Sequence, residues 1–298
     1  MAGKWKGKTR GGTFGYLFFI FLIKKSGIGI AYFFLYLVVP YFVLFAPSST
    51  HSVWVYSRYV LKYGFFKSIL FLYRNYYSFG RSLIDKIAVG AGLSDRYDFE
   101  FENSDILDIL SKKDSGAVII GAHFGSWEVG APFFNNYGSR LNLVMFDNED
   151  ENIKRILSDN ISGVPDYTVI PVNKDNLEHV FKIAFALENN ELVCFQGDRF
   201  VNDEKVVRID FMGVPAEFPQ GPFLVASKFK VPVIFYFAVR EKGRKYKFVF
   251  KKAKVTDSGS DGKSVAEAYL KQYVSVLETE VGKYPEQWYN FYDFWNLF

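Results

Sequence analysis

The stretch from Ala117 to Glu128, AVIIGAHFGSWE, constrains this chain more than any other. Val118, Ile119 and Ile120 are β-branched residues in a short apolar run, which reads as a buried strand. Small residues, a histidine, a glycine and a helix start follow it. In open α/β sheets ligands bind in the crevice beyond the carboxyl ends of the strands, where loops are free to hold polar groups that the core excludes. His123 falls at that place, with Glu128 five residues on.

The spacing can be checked against helix geometry. On one regular helix His123 and Glu128 would lie about 140° apart, out of reach of each other. They meet only if the chain turns between them, and Gly121, Gly125 and Ser126 are suited to that turn, glycine by its backbone freedom and serine as an N-cap. Glu128 then lies in the first helical turn, where the dipole favours a carboxylate. The expected pair is a histidine base oriented by Glu128, set against a strand-end histidine beside an ordinary first-turn acid. G-A-H-F-G has the outline of a nucleophile elbow with histidine in place of serine, and G-x-S-x-G occurs nowhere in the chain. A base acting directly on a substrate hydroxyl or amine is the chemistry that remains.

Of 298 residues, 49% are hydrophobic and 19% aromatic, enough for one sizeable α/β domain and an appendage. The single cysteine, Cys194, lies in an apolar run, which excludes a disulfide framework and reads as a buried strand position. Three histidines and one cysteine, widely separated, form no metal-ligand cluster, so no metal and no cofactor are expected. The net charge of +4 divides unevenly, with +9 over residues 1 to 100 and −5 over the remainder. A basic, aromatic first third points to a membrane-facing segment attached to a cytosolic domain. Nucleic acid is disfavoured as a partner, because the cations are interleaved with long apolar runs and no nucleic-acid motif is present.

Residues 1 to 15 are basic and glycine-rich and read as irregular, lying at the headgroup layer. Ile28 to Ala46 is then nineteen residues without a charge, long enough at about 1.5 Å per residue to cross a hydrocarbon core of about 30 Å. Lys24 and Lys25 before it, and Arg58, Lys62 and Lys67 after it, flank the run on both sides, so a span and a re-entrant hairpin remain equally open. Residues 52 to 91 repeat cations among aromatic and aliphatic residues, as interfacial helices do, with helices packed on a domain core as the alternative.

From Tyr97 the pattern alternates as in an α/β protein. Strands are predicted at 117–122, 141–146, 167–172, 192–195, 206–211, 231–239 and 246–252, and helices at 103–112, 127–137, 149–161, 174–189, 219–229 and 263–282. Two further constellations follow strands. Phe195-Gln196-Gly197-Asp198-Arg199 places an arginine for a phosphate and Asp198 to hold it, or a structural pair in a turn. Residues 211–233 contain Gly213, Pro219 and Gly221, a shaped turn opening a helix whose N-terminus offers N–H groups to an anion, unless that helix merely packs on the sheet.

These blocks, in this order, resemble the lysophospholipid acyltransferase superfamily and, within it, the branch of the bacterial lipid A late acyltransferases. His123 to Glu128 matches the H-x-x-x-x-(D/E) motif, Gly213 to Pro222 the later substrate-shaping block, and the apolar N-terminus with Pro285-Glu286-Gln287-Trp288 the branch. The resemblance implies an α/β fold, a mixed and mainly parallel central sheet flanked by helices, as in glycerol-3-phosphate acyltransferases. A membrane-associated helical region at 1–96 would precede an acyltransferase domain at 97–298.

It further implies an enzyme that moves a fatty acyl group from acyl carrier protein or coenzyme A to a hydroxyl of a lipid acceptor at the cytoplasmic face of the inner membrane. His123 would be the base and Glu128 its partner. Gly125, Ser126 and Trp127 would bind substrate, with backbone donors near Gly125 and Ser126 facing the oxyanion. Asp198, Arg199, Gly213, Pro219 and Gly221 would complete the substrate site. Ser126 stands where relatives commonly carry asparagine, and the C-terminal WYNFYDFWNLF lacks the usual basic residues. An aminolipid or polyene lipid therefore stands beside a lipid A-type glycolipid as acceptor. A thioester or acyl-lipid hydrolase and a catalytically silent lipid-binding protein are the competing functions.

Overall fold

A computed structural model describes residues 12–106, 116–135, 140–145, 167–172, 177–200, 205–254 and 261–297. The predicted helix at 149–161 and most of that at 103–112 lie outside the described residues. The N-terminal third is helical: α1 (Gly12–Ser26), α2 (Ile28–Phe45), α3 (Pro47–Val55) and the long α4 (Phe65–Gly90). Helix therefore begins at Gly12, within the segment expected to be irregular. Ile28, Ala31, Leu35 and Val39 recur at helical spacing and form the buried stripe of α2. That stripe lies against α4, where Tyr36 stacks on Tyr77 with ring centroids 4.3 Å apart. The opposite side is apolar and exposed, with Phe33, Leu37, Tyr41 and Leu44 on α2 joined by Phe14 and Phe21 on α1 and Phe66 at the start of α4.

After β1 (Asp98–Glu102), the strands β2 (Ala117–Gly121), β3 (Leu141–Met145), β4 (Tyr167–Pro171), β5 (Leu192–Gln196), β8 (Val233–Arg240) and β9 (Lys245–Lys252) complete a seven-stranded sheet in the order β1-β9-β8-β2-β5-β3-β4. All neighbours are parallel except β8 and β9. Every residue of β2 and β8 is buried, as parallel strands covered on both faces require. One covering layer holds α3, α6 (Glu178–Glu188), α7 (Gly221–Phe229) and α8 (Gly262–Lys283). The other holds α1, α2 and α5 (Trp127–Asn135), and α4 contributes to both. The result is the mixed, mainly parallel α/β architecture expected.

Two strands depart from expectation. β1 reads DFEFE and pairs only with β9, so it is an edge strand whose acids meet lysines: Glu102 reaches Lys247 at 2.7 Å and Lys251 at 2.6 Å. β6 (Val206–Phe211) and β7 (Val214–Pro219) form a separate antiparallel hairpin where only β6 was expected. Its turn is Met212-Gly213, both with positive φ, 57° and 76°, as a tight hairpin turn demands.

The helical third is fastened to the sheet by one buried carboxylate. Asp85 on α4, fully buried, accepts from Tyr246 on β9 at 2.5 Å, from Tyr97 at 2.9 Å and from Tyr32 on α2. Arg240 at the end of β8 faces it at 3.1 Å and also donates to the Tyr32 hydroxyl at 3.0 Å. Removing the carboxylate leaves a buried guanidinium and three hydroxyls without their acceptor, the costly way to break a buried pair. Asp85→Ala is expected to lower folding stability by about 3–5 kcal/mol, read from denaturation of the protein in detergent. A loss under about 1 kcal/mol, the scale of an exposed pair, would show that Asp85 is not the fastening point.

Candidate active site

The site forms at the carboxyl ends of β2, β5 and β8. β2 ends at Gly121, and the chain crosses to α5 through Ala122 to Ser126. Gly125 has φ 68°, and a Cβ there would drive into the Ala238 carbonyl of β8, so no other residue fits this turn. The Gly125 N–H donates to the Gln287 carbonyl at 2.8 Å and the Ser126 N–H to the Ala238 carbonyl at 2.7 Å. Both groups expected to face an oxyanion are thus engaged within the protein. The loop is fixed by backbone bonds before any substrate is present.

His123 is held from three sides. Its carbonyl accepts from the Tyr289 N–H at 2.9 Å, its own N–H donates to the Asp198 carboxylate at 3.0 Å, and its Nδ1 lies 2.8 Å from Asp198 Oδ1. Asp198 is 2% exposed and accepts a further bond from Trp288 Nε1 at 3.1 Å. Burial alone would raise the Asp198 carboxyl, but the His123 imidazole, Arg199 and the Trp288 N–H together hold it below its ordinary value. An ionised Asp198 takes a proton on Nδ1 of His123, which leaves the lone pair on Nε2. The imidazole keeps 30% of its side-chain surface accessible. Its pKa is lowered, first by burial and then by the Arg199 charge, against the opposing pull of Asp198 and Glu128. The arrangement is that of a neutral imidazole base with a directly bonded carboxylate.

That carboxylate is Asp198 rather than the expected Glu128. Glu128 does stand in the first turn of α5, and it pairs with Lys86 of α4 at 2.5 Å, acting on His123 as a nearby negative charge. Asp198, expected to hold Arg199 for an anion, bonds His123 and Trp288 through its oxygens and also interacts with Arg199 through charge. Arg199 lies beside them, donating from Nη2 to the Tyr289 carbonyl at 2.6 Å and lying over the Tyr292 ring at 5.7 Å.

The remaining candidates divide. Trp127 is half-buried at the start of α5, its carbonyl accepting from Tyr236 at 3.4 Å. Gly213 forms the hairpin turn, Pro219 ends β7 and Gly221 opens α7. No hydrogen bond among the described residues joins these last three to His123 or Asp198. What the sequence reading left without a role is the C-terminal segment. Gln287 clasps the Arg240 backbone from both ends of its amide, at 2.9 and 2.7 Å, while Trp288 bridges to Phe124 and reaches Asp198. Pro285-Glu286-Gln287-Trp288 was visible as a block, but nothing local to it says that it lines His123.

No group of three or more His, Cys, Asp or Glu suited to a metal occurs among the described residues. Comparison with known proteins gives the family. No curated protein sequence matches the chain. The crystal structure of the 1-acyl-sn-glycerophosphate (LPA) acyltransferase PlsC from Thermotoga maritima is similar, with 16% identity and a TM-score of 0.37, over 84% of this chain and 98% of that one. The model of the bacterial lipid A biosynthesis acyltransferases matches residues 72–296, a span that holds His123, Glu128, Asp198, Arg199 and the C-terminal segment. The chain belongs to the bacterial lipid A biosynthesis acyltransferase family and is an acyltransferase.

Proposed function

We propose that this acyltransferase moves a fatty acyl group from an acyl carrier protein or coenzyme A thioester to the hydroxyl of a membrane lipid. His123 would be the general base and Asp198 its directly bonded partner. The bond from Nδ1 of His123 to a fully buried carboxylate carries this reading, because it leaves Nε2 free to take a proton. In the proposed step Nε2 accepts the acceptor's hydroxyl proton as its oxygen attacks the thioester carbonyl. The C–S bond then breaks, and the leaving sulfur takes the proton back from the imidazolium. No acyl-enzyme is required, and Cys194 is unsuited to form one, since burial pushes its thiol far above the ordinary range. Glu128, paired with Lys86, would add negative charge that steadies the imidazolium, and Arg199 would engage an anionic group of donor or acceptor. The family supports a lipid A-type glycolipid as acceptor, with an aminolipid as the alternative.

We place the reaction at the cytoplasmic face of the inner membrane. Support comes from the exposed apolar side of α1 and α2, with Phe14 81% and Leu37 63% accessible, and from Phe66 at 84%. Such a surface is costly in water, and Lys24, Lys25, Lys62 and Lys67 lie close to it in the chain to meet lipid phosphates. Among the described residues helix α2 alone is long and apolar enough to cross a membrane, but its buried stripe is fixed to α4. We therefore read it as lying in the lipid beside the catalytic domain rather than standing free of it.

Three outcomes test this. Lipid profiling by mass spectrometry of a host lacking the protein is expected to show one lipid class short of one acyl group. Wild-type protein restores it and His123→Ala does not, and Asp198→Asn is expected to lower turnover by about 10²–10⁴-fold with the fold intact. An unchanged lipid profile in the deletion would remove the reading. The acid limb of kcat/KM against pH is expected to have its midpoint below 6.5: the lowered pKa leaves His123 unprotonated to more acidic pH, so activity rises with pH to an early plateau. Glu128→Gln removes a charge that raises this pKa, so its residual activity should titrate lower still, and a limb moved upward would contradict the assignment. Replacing Phe33, Leu37 and Phe66 together by serine should shift the protein from the membrane to the soluble fraction, since each is worth about 1.5–3 kcal/mol when fully buried. Retention equal to wild type would show that the contact lies elsewhere.

A further inference from the structure

Negative charge developing on a substrate oxygen beside His123 calls for a donor, and the Gly125 and Ser126 N–H groups are committed to Gln287 and Ala238. One side chain at the end of the sheet has a donor to give. Gln196 closes β5 in register with Gly121 of β2. Along β5, Val193 and Phe195 belong to the layer of α6 and α8, while Leu192 and Cys194 belong to the layer of α4 and α5. Strand alternation puts Gln196 with the second set, beneath the helix that His123 leads into. Gln196 precedes Asp198 by two residues, as Gly121 precedes His123 by two. The amide therefore lies beside Gly121, which contributes no side chain, at the strand ends from which the chain runs on to His123 and Asp198.

The amide makes no hydrogen bond among the described residues. Its Oε1 is buried and accepts nothing, and Nε2 makes no hydrogen bond within the described residues. Both amide atoms stand in ordinary van der Waals contact, 3.6 and 3.7 Å, with where a Gly121 Cβ would be. They find nothing to bond there, because the Gly121 carbonyl already accepts from Gly197 N–H at 2.9 Å and Tyr273 Oη at 2.8 Å. Nε2 therefore keeps its N–H donors for an incoming acceptor oxygen, whereas Oε1, itself an acceptor, takes no part in that bond.

We propose that Gln196 is a catalytic residue whose Nε2–H donates to the acyl carbonyl oxygen as the acceptor attacks, which rests on the acyl transfer proposed above. The acceptor O–H proton passes to His123 and the new O–C bond forms. The carbonyl electron pair moves onto the oxygen that Gln196 holds. Collapse of this intermediate breaks the C–S bond, and His123 returns its proton to sulfur. Gln196 itself gains and loses no proton.

The test uses the full chain purified in detergent, saturated acyl-CoA and acyl carrier protein thioesters as donors, and a total lipid extract of the host as acceptor. Gln196→Leu is expected to lower kcat by about 10²–10³-fold with KM little changed. Its melting temperature should be unchanged or higher, since an amide without a partner is replaced by an apolar side chain of similar size. Gln196→Asn, which keeps the donor on a shorter arm, should recover part of the rate. A kcat equal to wild type in Gln196→Leu, or a loss that tracks a lowered melting temperature, would overturn the assignment. Absence of transfer by the wild-type protein with both donors would instead remove the acyl transfer reading and this inference with it.

Discussion

The end of the sheet that holds His123 depends on the burial of one carboxylate. Asp198 is 2% exposed, and an ionised group so placed survives only when donors surround it. It obtains them from the loop after β2, through the backbone N–H and imidazole of His123, and from the C-terminal segment, through the Trp288 indole. Segments 75 and 90 residues away in sequence must therefore converge on it. The same requirement sets the imidazole's tautomer, because an acceptor on the Nδ1 side leaves Nε2 unprotonated.

Holding the loop this firmly has a chemical consequence. The positive φ of Gly125 and the bonds from Gly125 and Ser126 to Gln287 and Ala238 fix His123 in place, yet they consume N–H groups that a looser turn would leave open to substrate. Under the proposed mechanism, preorganisation of His123 and provision of backbone donors compete at this turn, and the bonds favour the first. The neighbouring strand is where the proposed side-chain chemistry would compensate, since β5 ends in Gln196 and the turn after it carries Asp198.

How far the sequence was legible follows from what each signal depends on. Apolar runs such as AVIIG and VIFYFAVR read as buried strands because burial on both faces leaves no other pattern. DFEFE did not, since an edge strand alternates with charges, and its partners Lys247 and Lys251 come about 150 residues later. VPAEFP carries two prolines, which argue against a strand unless the strand has a free edge, as β7 has opposite β6. At the site, the residue types at 123, 128 and 198 were evident. Their pairing was not, because local spacing favours Glu128 while the structure joins Nδ1 to a residue on another strand. Trp288 and Gln287 act from a terminal segment of short range order, where periodicity says nothing about destination.

Arg240 shows how the apolar helical third and the loop of His123 share one support. Its guanidinium faces Asp85 and donates to Tyr32 of α2, while its backbone N–H and carbonyl are both bonded by Gln287. Gln287 in turn accepts from the Gly125 N–H, two residues after His123. A continuous run of hydrogen bonds thus leads from the apolar helix to the turn that carries the base. In the membrane placement proposed above, Tyr32 pinned at Asp85 would tie the depth and tilt of α2 to the position of His123 relative to the bilayer. For the membrane-lipid acceptor proposed above, such a fixed offset between lipid surface and His123 would replace part of the search a soluble substrate has to make.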